Sequence, residues 1–244
     1  VLPDGCVMTI AFNKGRYGVR LASSKADVAA CQALRHRCFF GFAGQDVDAF
    51  DRICSHVMIA GDAGLVGTFR VMILPSGAAI GQTYAAQSYD LTRLEGFAAP
   101  MLEMGRFCID PSAHGADILR LAWGALAQLV DANDVAMMFG CSSFDGIDPT
   151  PYQSASAVLL DRFQAPVGWA PAVAASEVIP LAVGPTVGAL QQMPPLLRTY
   201  LTMGGWVSDH AVVDRHMQTL HVFTGLEIAR IPPARARALR ALSG

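Results

Sequence analysis

Hydrophobic and polar positions along the chain alternate between two periods. Residues 17–22 carry the two-residue alternation of a short strand. From Ser24 the period lengthens. Val28, Cys31, Leu34, Cys38 and Phe39 recur at helical spacing and predict a helix over 24–39 that opens with Ser24 and Asp27 in a capping-box pattern. Arg35 falls on the apolar stripe of that helix, one turn from Cys31 and from Phe39, and a guanidinium there needs a partner. Residues 40–54 read as a loop bearing Asp46, Asp48 and Asp51, and 56–74 as a β-hairpin turning at 61–64. A strand follows over 101–109, stopped by Pro111, then a helix over 113–133 with Ile118, Leu121, Ala122, Ala125, Leu126 and Leu129 inward. The remaining pattern predicts a buried strand over 135–144, helices over 152–163 and 195–203, strands over 206–213 and 219–226, and a last helix over 233–242. This order of elements suits an α/β or α+β fold around one central sheet.

One strand breaks its own pattern. The stretch 102-LEMGRFCI-109 is mostly apolar yet holds Glu103, Gly105 and Arg106. Strand alternation puts Glu103 and Gly105 on one face, Met104 and Arg106 on the other. One reading is an ion pair near a sheet edge. The other is a carboxylate in a cleft, its pKa raised by partial burial so that it can take a proton from an amine. A bulge at Gly105 would break the alternation, bring both charges toward one cleft and splay the strand from its neighbour. Arg35, Asp48, Asp51 and Arg70 lie in generally apolar surroundings and could satisfy one another as a network. Such a network either shapes a site or only holds the loop in place.

Together these residues resemble a known pattern. Arg35-x-x-x-Phe39, Asp48-x-x-Asp51, Arg70 and Glu103-x-x-Arg106 are similar to the acyl-homoserine-lactone synthases, GNAT-fold enzymes that move an acyl chain from acyl carrier protein to an amine. A sister family matches more closely. The blocks 102-LEMGRFCIDP-111, 139-FGCSSFDGIDP-149, 194-PPLLRTYLTMGGWVSDHAVVD-214 and 219-TLHVF-223 resemble the bacterial ornithine N-acyltransferases, which make lyso-ornithine lipid. The resemblance runs from about Arg35 to about Phe223. It implies a GNAT-like fold with a central, mixed and mainly antiparallel sheet flanked by helices, over residues 8–163, and a C-terminal extension over 164–244 packed on that core. It also implies direct attack of an amino acid's α-amine on a (3-hydroxy)fatty acyl thioester. Glu103 is then the candidate general base, and Arg35, Asp48, Asp51, Arg70 and Arg106 bind the acceptor or shape its site.

The same resemblance exposes departures. CoA-using relatives open the helix after this strand with a basic, glycine-rich loop whose N–H groups hold a pyrophosphate. Here the loop is 112-SAHGADIL-119, with Ser112 in the basic place and Asp117 in the first turn. The expected donor is therefore acyl carrier protein with its single phosphate. His114, Gly115, Ala116, Ser142 and Ser143 are the donor contacts, and no cofactor is needed beyond the acyl-phosphopantetheine substrate. Ser142, His210 and Asp214 do not read as a hydrolase triad, because no Gly-x-Ser-x-Gly turn surrounds either serine. Glutamine is an alternative acceptor to ornithine. A lactone-signal synthase and a non-catalytic lipid-binding protein are further alternatives, the former disfavoured because 40-FGFAGQDVDAF-50 lacks that family's tryptophan.

Composition adjusts this picture at the edges. Charged residues are only 16% of the 244, and the net charge of −2 gives no footprint for nucleic acid. Basic charge gathers in the tail, where Arg230, Arg235, Arg237 and Arg240 stand without an acid. This is a docking surface for an acidic carrier protein, a contact for anionic lipid, or a solvated end. The stretch 164–192 has one charge, Glu177, and four prolines that argue against a spanning helix, so it reads as a loop packed on the body, with membrane contact as the alternative. Six scattered cysteines form no CxxC pair, and neither a disulfide framework nor a metal site is expected. Cys31, Cys38, Cys108 and Cys141 read as core residues. The start lacks a signal-peptide pattern, so Met8 is the expected initiator, residues 1–7 an upstream remnant, and the compartment cytoplasmic with peripheral contact to the inner membrane.

Overall fold

The computed structural model describes residues 9–242, so the expected remnant at residues 1–7 lies outside the described residues. In chain order the strands and helices are β1 (Ala11–Lys14), β2 (Tyr17–Leu21), α1 (Lys25–Phe40), β3 (Ser55–Gly61), β4 (Gly64–Leu74), β5 (Tyr89–Asp90), β6 (Met101–Ile109), α2 (Gly115–Ala132), β7 (Met137–Asp145), α3 (Gln153–Arg162), β8 (Ala172–Val173), β9 (Val178–Pro180), α4 (Ala189–Gln192), α5 (Pro195–Thr202), β10 (Trp206–Asp214), β11 (Thr219–Glu227) and α6 (Pro233–Arg240). They fall into two compact units that are not sequential. The first takes the chain up to Ile73, Leu102–Val135, and everything from Pro232 onward; the second takes Leu74–Met101 and Ala136–Ile231.

In the first unit the strands neighbour one another in the order β1-β2-β3-β4-β6, and β1 to β4 run antiparallel. The hairpin forms where expected, with Gly61 opposite Gly64, and Gly64 takes φ 115°, which an L side chain resists. α1 starts at Ser24, whose hydroxyl accepts from the Asp27 N–H at 3.1 Å. The reciprocal half of the expected capping box is replaced. The Asp27 carboxylate accepts from Ser23 N at 2.9 Å and pairs with Arg20 at 2.7 Å. All six apolar positions read as inward on α2 are buried. α2 also receives the chain's end. A Cβ on Gly124 would sit 3.1 Å from that of Leu242, and Arg240 makes two 2.7 Å bonds to Asp131. Cys31 and Cys108 are buried, whereas Cys38 is only half-buried.

The second unit holds an antiparallel sheet in the order β7-β11-β10-β9, and β5 pairs with β8. One face packs Phe144, Leu220 and Val222 with Leu159 of α3, Met193, and Leu197 and Leu201 of α5. The other face stacks Phe223 between Phe139 and Trp206, with centroids 5.7 and 5.8 Å apart. β10 bulges, because Ser208, Asp209 and His210 intervene between the pairs Val207↔Thr224 and Ala211↔Val222. The Ser208 hydroxyl closes the bulge by accepting from Phe223 N at 3.0 Å and donating to His210 O at 2.7 Å. Residues 164–192, read as a loop, contain β8, β9 and α4, so that expectation is corrected. Pro180 ends a strand and does not merely interrupt a coil. Among the described residues no helix is long and apolar enough to cross a membrane.

The aromatic face of this unit carries a pH-sensitive group. His221 is buried, and the Tyr89 hydroxyl lies 3.1 Å from its Nδ1 while donating to its carbonyl at 2.8 Å. Burial pushes the imidazole pKa down to about 4. A histidine whose folded pKa lies below its unfolded value, near ~6.5, contributes stability above that value and loses it as pH falls toward the folded one. The thermal midpoint should therefore drop between about pH 6.5 and 4, by the equivalent of roughly 2–3 kcal/mol from this group. His221→Gln should flatten that limb; an unchanged pH profile in the variant would count against it.

Candidate active site

Five charged site candidates of the first unit, Arg35, Asp48, Asp51, Arg70 and Arg106, join Asp46 in one closed ring. Going round it, Arg106 Nε meets Asp46 at 3.1 Å, Asp46 meets Arg35 Nε at 2.8 Å, Arg35 Nη1 meets Asp51 at 2.9 Å, and Asp51 meets Arg70 Nη1 at 2.8 Å. Arg70 then contacts Asp48, and Asp48 returns to Arg106 Nη2 at 3.2 Å. Three arginines and three aspartates thus alternate and sum to zero charge.

Local structure places each member. Arg35 lies on α1, one turn after Gln32, and Gln32 Nε2 also donates to Asp51 at 2.9 Å. Asp48 and Asp51 share one 3-10 turn, where Asp48 accepts from Phe50 N at 2.9 Å and Asp51 from Asp48 N at 3.2 Å. Arg70 sits on β4 opposite His56 of β3, with the Phe50 ring 5.9 Å from its guanidinium. Arg106 reaches the ring because its own backbone is left-handed, at φ 53°. The left-handed residue of β6 is thus Arg106 and not Gly105, and its ion pairs to Asp46 and Asp48 offset the conformational cost.

The ring is mostly withdrawn from solvent. The Arg35 side chain is 0% exposed and those of Asp46 and Asp51 5%, whereas Asp48 keeps 22%. Burial alone would push the Asp51 carboxyl up. Arg35, Arg70 and Gln32 outweigh it and hold the group well below the usual carboxylate range. Asp48 is likewise held down, with Arg70 and Arg106 overcoming its burial. The guanidinium of Arg70 is raised further above its ordinary value by both acids, against the effect of its own burial.

Glu103 is buried on β6 at 4% exposure. Burial pushes the Cys54 thiol up to about 12, with Glu103, Asp48 and Asp51 adding to the rise and Arg70 opposing it. Three participants escaped the sequence reading as site residues: Asp46, Gln32 and His56. His56 is buried, its Nε2 is 3.3 Å from Asp51 O, and burial lowers its pKa against the opposing effect of Asp51.

The expected donor contacts are less uniform. His114, Gly115 and Ala116 are exposed at the start of α2, and His114 makes no side-chain cap. Ser112 is engaged, since its hydroxyl and N–H both donate to Asp110, at 2.7 and 2.9 Å, and with Arg37 hold that carboxyl down to about 2. In the second unit, Ser142 and Ser143 point to opposite faces of β7. Ser142 is buried and accepts from the Thr224 hydroxyl at 2.9 Å; Ser143 is exposed.

Comparison with known proteins gives the class. Residues 32–124, which span the ring, Glu103 and much of α2, match the family model described as an acetyltransferase (GNAT) domain. The solved structure of FeeM, an N-acyl amino acid synthase from uncultured soil microbes, superimposes with a TM-score of 0.50 at 11% identity, over 88% of this chain and 94% of that one. That likeness is one of fold. The class is therefore the GNAT acyltransferases. Two L-ornithine N(alpha)-acyltransferases are each 32% identical: that of Brucella abortus (strain 2308) over 89% of this chain and 87% of its own length, and that of Rhodobacter capsulatus over 84% and 88%. The chain belongs to the L-ornithine N(alpha)-acyltransferase family.

Proposed function

We propose that this protein moves a fatty or 3-hydroxyfatty acyl chain from the phosphopantetheine of acyl carrier protein to the α-amine of L-ornithine. The observation that carries this reading is Glu103, a carboxylate only 4% exposed on β6, the strand that also presents Arg106 to the charge ring. The ring holds the loop from Asp46 to Asp51 in place and shapes the acceptor side. An amine is a nucleophile only after losing a proton. Glu103 takes it, through a water, as the nitrogen bonds to the thioester carbonyl carbon. The C–S bond then breaks, and the pantetheine sulfur leaves as the thiol after protonation.

Acceptor and donor follow from the surroundings. Asp48 is the most exposed acid of the ring and suits the cationic side chain of ornithine better than the neutral amide of glutamine. A shallow apolar cleft in the second unit is lined by Phe144, Leu159, Ile179, Leu181, Leu220 and Val222, a lining whose chemistry suits an aliphatic chain. At the start of α2, Ser112 is tied to Asp110 and Asp117 adds negative charge, which favours the single phosphate of a carrier protein over the pyrophosphate of CoA. Arg235 and Arg237, exposed on α6, offer an acidic carrier a basic surface, whereas Arg240 is held by Asp131.

The test is an assay of the purified protein with matched acyl-carrier and acyl-CoA donors, each with ornithine or glutamine, read by product mass. Acyl-ornithine from the carrier donor is expected to dominate. Faster acylation from CoA would overturn the donor assignment, faster acylation of glutamine would overturn the acceptor, and no acylation of any amine would overturn the reaction.

A further inference from the structure

Charge is missing from one part of the second unit. Residues 178–197 contain no Asp, Glu, Lys or Arg, and neither do residues 149–160. At the chain's own 16%, these stretches together would hold about five. The two are adjacent in space. Ala182 N donates to the Ser156 hydroxyl at 3.0 Å, and a Cβ on Gly184 would lie 3.9 Å from both Ala157 Cβ and Gln153 O. Residues 182–188 are all exposed, between the half-buried Leu181 and the buried Ala189. Val183 and Val187 on this loop are 92% and 88% exposed, and Leu190 just beyond it is 63% exposed. Single exposed aliphatic residues are ordinary on protein surfaces; three within eight positions of a stretch that itself carries no charge, with exposed Asp209 at its edge beside Leu181, are not.

We propose that the loop 182–188, with Leu190, is a membrane-contacting element that places these three side chains among the acyl chains of a lipid bilayer. The chemistry of the patch selects this occupant. An acidic carrier protein would seek basic residues, and the loop has none. A protein interface is usually centred on aromatic side chains and Arg, whereas Val183, Val187 and Leu190 are purely aliphatic. Transfer of Val and Leu into hydrocarbon is favourable, and the absence of charge removes the main penalty. The contact is shallow. Backbone groups in an irregular loop cannot be satisfied in hydrocarbon, so the main chain stays at headgroup level. Exposed Arg198 follows the charge-free stretch directly and suits a headgroup phosphate. Three small side chains hold a bilayer weakly, so anionic lipid should strengthen binding. The placement stands on the surface alone. The proposed reaction adds a use for it, because Leu181 adjoins the loop and lines the cleft assigned to the acyl chain.

The experiment is flotation of the full chain with vesicles of phosphatidylcholine alone and of phosphatidylcholine with phosphatidylglycerol. It compares wild type with V183D/V187D/L190D. Light scattering and a thermal melt of each protein accompany it. Wild type is expected to float, more so with the anionic lipid. The triple variant should lose roughly tenfold or more of its bound fraction on the charge-rule penalty, with unchanged melting and unchanged acylation of soluble substrates. Three results would overturn the proposal: wild type that does not float, a variant that floats equally, or a variant whose oligomeric mass changes while its flotation does not. The last would mark the patch as a contact between copies. Because acylation is scored separately, failure of the acyltransferase reading would appear as lost chemistry, not as lost flotation.

Discussion

Glu103→Gln is expected to lower kcat by about 10²–10⁴, the usual contribution of a positioned general base. The amide keeps the shape of the carboxyl but cannot take the amine's proton. The thermal midpoint and the KM for the acyl donor should stay near wild type, because the substitution conserves volume at this buried position. If the variant melts well below wild type, Glu103 supports the fold near Cys54 and the ring. If it turns over within threefold of wild type, another group is the base.

Arg35→Met carries the largest expected effect on stability, a loss of about 3–5 kcal/mol. The side chain is fully buried and bridges Asp46 and Asp51, so its removal leaves two buried carboxylates short of a partner. Urea unfolding near neutral pH measures this. The loss should shrink in acid. Asp51 has a folded pKa well below its unfolded value, near ~3.9, so its contribution is complete above that value and disappears as pH falls further, toward the folded pKa. The acid limb of the stability curve should therefore be steep in wild type and shallower in Arg35→Met. A change below about 1 kcal/mol would mean that the ring's Coulombic gain only matches its desolvation cost.

The sequence showed the ring's components before its geometry. Arg35 on an apolar helical stripe, Arg70 within an apolar strand, and the acids of the 40–54 loop each broke a local pattern, and each violation had the same remedy, a partner of opposite charge. The pairing itself was not legible. Asp46 lay within the loop flagged as acidic, but only the path of that loop brings it between Arg35 and Arg106. His56 was hidden by register. Counting outward from Gly61↔Gly64 would place His56 opposite Phe69, but a shift between Ile59 and Ala60 moves it opposite Arg70. In β6 the glycine drew the prediction because glycine tolerates left-handed backbone at least cost. The strained position fell instead on Arg106, where two ion pairs stabilise it. The structure inside 164–192 escaped for a related reason. Its strands are two and three residues long, below the length at which periodicity can be read.

The threading of the chain through its two units bears on the order in which the protein can form. The first unit needs the beginning of the chain, a middle piece and the end, with α6 resting on α2 and Lys14 Nζ donating to Ala241 O at 3.4 Å across 227 residues. The second unit lies wholly between those ends. A ribosome delivers the chain from its N-terminus, and early segments generally fold first. Here the earlier-made unit is the one that cannot be completed until α6 has been made. Its closure spans 227 residues, which makes it the slower step on entropic grounds. The charge ring belongs entirely to that unit, but its members end at Arg106, so they can meet long before α6 arrives. The ring can thus hold the nascent unit together while the rest of the chain is still being made.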